Sequence, residues 1–116
     1  MSSFLVSHLL NESLTNGGCT YRFDKSDNGR YVVGGIYEVK VPISLDTSLE
    51  SVVDLFVRYA LTQLLDVDGI GTWVHEGVLY LDLIQTVDDL DEAIRLAKES
   101  NELAIFDSVD GVVIDL

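Results

Sequence analysis

The chain has 116 residues, 47% of them hydrophobic, and carries seven Lys and Arg against twenty Asp and Glu, a formal net charge of −13. That much apolar side chain excludes an acidic disordered segment and suits one domain spanning 1–116, while the sign excludes a direct grip on phosphates, which needs Lys and Arg. No apolar run reaches the ~18 residues of a membrane helix. The opening "MSSFLVSHLL" lacks the basic flank and cleavage site of a signal peptide, and a lone Cys19 makes no internal disulfide. A cytoplasmic protein, away from membranes, is the expectation.

In chain order, "SSFLVSHLLNESLTNGG" places Val6, Leu10 and Leu14, and Leu5 and Leu9, at helical spacing, with Gly17 or Gly18 as the stop. "CTYRF" alternates as a strand, "DKSDNG" is a turn cluster with Asn28-Gly29 as its corner, and "RYVVGGIYEVKVPI" returns as a long strand bent at Gly34-Gly35. "LDTSLESVVDLFVRYALTQLLD" predicts a helix capped by Asp46 or Thr47, with Leu49, Val52, Val53, Phe56, Val57, Ala60, Leu61 and Leu64 on its apolar face. "TWVHEGVLYLDLIQ" predicts a hairpin turning at Glu76-Gly77. "DDLDEAIRLAKESN" predicts a helix capped by Asp88, with Asp91 paired to Arg95 and with Leu90, Ala93, Ile94 and Ala97 facing inward. "ELAIFD", "SVDG" and "VVIDL" close the chain as a last hairpin. The order α-ββ-α-ββ-α-ββ points to an α+β domain, an antiparallel sheet with about three helices packed on it.

Little in the chain points to catalysis or cofactors. Cys19, His8 and His75 are the candidate nucleophile and bases, and no nucleophile signature surrounds them. "DVDG" at 66–69 resembles the start of a calcium loop, but the twelfth position, where a glutamate belongs, is Gly77. "GRYVVGG" has no following lysine or helix for a phosphate. No cofactor or metal is expected.

The distribution of charge is the stronger signal. Residues 1–45 balance four acids with four bases; residues 46–116 hold sixteen acids against Arg58, Arg95 and Lys98. Asp46, Glu50 and Asp54 fall every fourth residue of a helix, where like charges destabilise it. Asp66 and Asp68 crowd a turn, and Asp88, Asp89, Asp91 and Glu92 crowd a helix start. These nine are the candidate partner-binding residues, because rows of carboxylates on a rigid scaffold can present the field of nucleic-acid phosphates to a cationic groove.

"TNGGCTY" (15–21) and "GTWVHEGVLYLDLIQTVDDLDEAIRLAKESNELAIFD" (71–107) resemble a group of small acidic phage and bacterial proteins that carry a G-G-x-T-Y turn, a Trp-bearing hairpin, and D-L-D-x-A before A-I-F-D. These motifs are structural and bring no catalytic residue. Size and charge are also similar to phage-encoded anti-CRISPR and anti-restriction proteins, several of which mimic DNA. The resemblance implies a non-enzymatic inhibitor that blocks the DNA-binding subunit of a CRISPR surveillance or restriction complex. The alternative is an acidic adaptor that binds a protein partner through exposed aromatics, among them Tyr21, Tyr31, Tyr37 and Trp73. Neither reading fixes an oligomeric state.

Overall fold

A computed structural model describes residues 3–44 and 46–116, the side chains of 3 and 46–48 excepted. The elements are α1 (Ser3–Asn16), β1 (Gly18–Arg22), β2 (Tyr31–Val33), β3 (Glu38–Pro42), α2 (Asp46–Leu61), β4 (Gly69–His75), β5 (Val78–Val87), α3 (Leu90–Glu99), β6 (Ala104–Asp107) and β7 (Val112–Asp115). The seven strands form one antiparallel sheet in the order β1-β4-β5-β2-β6-β7, with β3 also lying along β5. This is the α+β architecture that the element order implies.

The ten-residue β5 organises the rest. Its alternation puts Leu79, Leu81 and Leu83 on one face, opposite Val74, Thr72 and Ile70 of β4, and Val41 and Val39 of β3 face Leu79 and Leu81. Onto this face α1 brings Val6 and Leu9, and α2 brings Leu49, Val53, Phe56, Val57 and Ala60. Farther along the same alternation Val87 stands opposite Tyr31, and Val33, Ile105 and Ile114 continue the face that receives Ala93 and Ala97 of α3. All three helices therefore cover one face of the sheet, and no described helix covers the other. No described helix is long and apolar enough to cross a membrane.

Several local expectations hold. Helix α1 stops at Gly17, and the β4–β5 hairpin turns at Glu76 and Gly77, both at positive φ as such a two-residue turn needs. Chain 31–42 runs along one edge of β5 and is broken where foreseen: Val33 lies opposite Gln85 and Glu38 opposite Asp82, so residues 34–37 bulge against only Leu83 and Ile84.

Other expectations are corrected. Strand β1 does not form a hairpin with β2; it pairs with β4, at the opposite edge of β5. The connection between them does not turn on Asn28-Gly29. Asp24 and Asp27 fold it by accepting from the backbone N–H of Ser26 and of Gly29. Helix α2 ends at Leu61, because Thr62 and Gln63 donate back to Tyr59 and Ala60 and the Thr62 hydroxyl bonds the Tyr59 carbonyl. Leu61 and Leu64 consequently lie exposed, as does Leu14 of α1. His8 is exposed and meets Tyr21 in an edge-on ring contact.

Candidate functional site

The nine carboxylates singled out from the sequence do not share one role. On α2, Asp46 begins the helix, but its side chain, like that of the alternative cap Thr47, lies outside the described residues. Glu50 is exposed, and Asp54 accepts from Arg58 Nε at 2.9 Å, so the stripe is partly neutralised one turn on. Asp66 is exposed at the end of the turn after α2. Asp68 has a structural role: its Oδ2 accepts the Thr86 N–H at 2.8 Å and ties the start of β4 to β5.

On α3 the cap is Asp89, not Asp88. The helix begins at Leu90, Asp89 has the extended backbone of a cap (φ −97, ψ 126), and its Oδ2 accepts the Glu92 N–H at 2.9 Å. Asp88 instead accepts the Arg30 N–H at 3.2 Å. Arg95 pairs with Glu92 and, at 2.6 Å, with Glu99, not with the expected Asp91. Its hydrogen bond holds the Glu92 carboxyl below the usual range. Asp91 points to solvent. The helices bearing these acids sit over different parts of the sheet, α2 on β3, β4 and β5 and α3 on β2, β5 and β6.

The positive charge of the chain is largely consumed internally. Arg22, Arg30, Lys40, Arg58 and Arg95 all sit within ion-pair distance of carboxylates of the same chain. Among the described residues, Asp24, Glu50, Asp66, Asp88, Asp89, Asp91 and Asp115 are exposed and in no ion pair, and of these Asp24, Asp88 and Asp89 accept backbone N–H groups. Of the aromatics expected to form a binding surface, Tyr31 is buried and Tyr21 packs against the main core, whereas Tyr37 and Trp73 are exposed.

The helix-free face holds a feature that sequence reasoning missed. The sheet curls there into a trough with an open cavity of about 820 Å³. Its lining comes from both ends of the strand order, from Gly18 and Thr20 of β1 to Phe106 of β6 and Val113 of β7. At one end Arg22 Nη2 of β1 reaches Ser108 Oγ, just beyond β6, at 3.3 Å. Val32 and Ile84 form a buried apolar floor. At the opposite end Trp73 stacks on His75 with centroids 5.1 Å apart and lies 5.2 Å from Tyr80.

Into this trough projects Asp82, placed opposite Leu81 and Leu83 by the alternation of β5. Both its oxygens accept the Gly35 N–H, at 2.9 and 2.8 Å. Gly35 has φ +86, which glycine adopts without strain. A Cβ on Gly34 would stand 2.0 Å from Asp82 Oδ2 and 3.1 Å from Glu102 Oε1, so this bulge has no room for a side chain and the two carboxylates are neighbours. Burial, then the Glu102 and Glu38 charges, push the Asp82 carboxyl up to about 7 against the lowering effect of the Gly35 N–H. Burial and Glu38 likewise raise Glu102. A sequence signal existed in "LYLDLIQ", where Asp82 interrupts an apolar strand on the face opposite the leucines.

No group of three or more His, Cys, Asp or Glu among the described residues is arranged to hold a metal ion. Burial, then the Glu12 charge, raises the Cys19 thiol, the direction opposite to that of an activated nucleophile. Comparisons with protein-family models, curated proteins and solved structures return no match.

Proposed function

We propose that this chain is a non-enzymatic inhibitor that presents carboxylates to the cationic, DNA-contacting surface of a host defence complex, in the manner of anti-CRISPR and anti-restriction DNA mimics. The observation that carries the reading is the internal use of positive charge: most Arg and Lys already face carboxylates, so the surplus at Glu50, Asp66 and Asp91 meets solvent uncompensated. Such a surface repels nucleic acid and is steered toward partners that bind it. Asp68, Asp88 and Asp89 support the fold, so the contact set narrows to Glu50, Asp54, Asp66, Asp91 and Glu92, with Asp46 at the head of α2.

The test is a pull-down from a CRISPR-bearing lysate with a salt ladder and competing duplex DNA. The expected result is a nucleic-acid-binding defence complex, released by salt and displaced by DNA, and lost with Glu50→Lys/Asp66→Lys/Asp91→Lys at unchanged circular dichroism. Undiminished capture by this triple variant overturns the reading.

One observation favours the adaptor reading. Tyr37 stacks on Phe56 at 6.1 Å and meets Tyr59 at 4.9 Å, and beside them Leu55 is 66% exposed, an apolar patch between α2 and the bulge. Binding through this patch would survive high salt and fail with Leu55→Lys.

A further inference from the structure

We propose that the trough on the helix-free face binds a small organic cation, an amine or guanidinium carried on an apolar body. This site is independent of the acidic surface above, because its residues come from the face opposite the helices. A volume of about 820 Å³ is that of a small-molecule site, and the chemistry of the lining selects among occupants. Val32, Ile84, Phe106 and Val113 offer an apolar bed, while the ionisable side chains on the wall, apart from the half-buried Cys19 thiol and the Tyr80 phenol, are the carboxylates of Glu38, Asp82 and Glu102.

An anion would meet like charge at the wall and across a chain of net charge −13. A neutral apolar molecule would strip water from three carboxylates and give them nothing in return. An amphipathic cation satisfies both halves: its body covers the floor and its charged head donates charge-assisted hydrogen bonds to Asp82 and Glu102. The acceptor is already oriented, since the Gly35 N–H holds both Asp82 oxygens. Trp73 and Tyr80 add π faces at the mouth, where Lys40 Nζ already lies 5.7 Å from the Tyr80 ring centre. Lys40 also stands 4.0 Å from Glu38 on an exposed side chain, so it screens the outer acid and leaves Asp82 and Glu102 without a cation among the described residues.

The single tryptophan, Trp73, supplies the readout. Phenylbutylamine is titrated at about pH 8, where amine and carboxylate are both charged, against phenylbutanol, which has the same body and no charge. The expected result is a saturable shift of Trp73 emission with the amine binding about tenfold or more tighter than the alcohol, as a charge-assisted hydrogen bond implies. Asp82→Asn and Glu102→Gln, the latter in the loop between α3 and β6, should each erase most of that preference and leave alcohol binding unchanged. Asp91→Asn, on the far face, should leave both the preference and alcohol binding unchanged. Equal affinity for amine and alcohol, no saturable shift, or a preference that survives both Asp82→Asn and Glu102→Gln overturns the proposal. Loss of the preference with Asp91→Asn also overturns it, as attraction to general charge. If Asp82→Asn does not fold, Glu102→Gln alone decides the matter.

Discussion

Arg30 and Asp107 form a two-point ion pair, Nε to Oδ1 at 2.9 Å and Nη2 to Oδ2 at 2.8 Å, that joins the connection before β2 to the end of β6. Asp107 is almost wholly enclosed, and its Oδ1 also accepts the N–H groups of Val109 and Asp110. The Ser108 hydroxyl and N–H both donate to the Arg30 carbonyl. The Arg30 hydrogen bonds hold the Asp107 carboxyl down at about 2. A depressed carboxylate contributes stability that is present above the ordinary range near ~4 and lost as pH falls through the folded value. Arg30→Lys replaces a planar fork with a point charge and should shift acid unfolding to higher pH. Coincident acid transitions for the two proteins would exclude this role.

A second prediction concerns the seating of α1 on β4. The buried Ser13 hydroxyl donates to the Leu9 carbonyl and shares a hydrogen bond with the buried Thr72 hydroxyl. Ser13→Ala leaves Thr72 without its partner and should cost about 1–2 kcal/mol in denaturant unfolding, whereas adding Thr72→Val should recover part of it. If the two changes are simply additive, the hydroxyls do not act as a pair.

Cys19 gives a third. Its half-buried thiol is raised by burial and by Glu12, so it is protonated at neutral pH and poorly nucleophilic. A thiol reagent should label the native protein far more slowly than the urea-unfolded chain. Rapid native labelling would reopen a catalytic reading.

What the sequence reveals follows the range of the interaction. The Glu76-Gly77 turn, the apolar face from Leu49 to Ala60 and the bend at Gly34-Gly35 depend on neighbours in the chain, and each is found where its pattern puts it. The cap at Asp89 rather than Asp88 differs by one residue because either aspartate could precede the first turn, and the Arg30 N–H engages the first of them. The pairing of β1 with β4 was illegible, because alternation marks a strand without naming its partner. The trough is illegible for the same reason. Asp82 meets Gly35 across 47 residues, and Glu102 arrives from beyond α3. The charge surplus was legible as a number, but which acids remain free was decided by ion pairs such as Arg95 with Glu92 and Glu99.

Asp82 provides the last prediction, one with the opposite sign to Asp107. Its carboxyl is raised to about 7 by burial and by Glu102 and Glu38, so the native state holds a proton that the unfolded chain releases near ~4. The unfolded state binds fewer protons throughout that window, and stability therefore falls as pH rises from about 4 and stops falling above about 7. A shift of this size corresponds to roughly 2–4 kcal/mol. Asn at this position keeps an oxygen for the Gly35 N–H and never ionises, so Asp82→Asn should exceed the parent by less at pH 5 than at pH 8, where the gap reaches an amount of that order. Urea unfolding of both proteins at the two pH values measures the difference. Referring the variant to the parent at each pH removes the general repulsion of the other carboxylates, which both proteins share. An equal gap at pH 5 and pH 8 would mean that Asp82 ionises as freely in the folded protein as in the unfolded one, and that the carboxylates around the Gly34-Gly35 bulge do not sense one another.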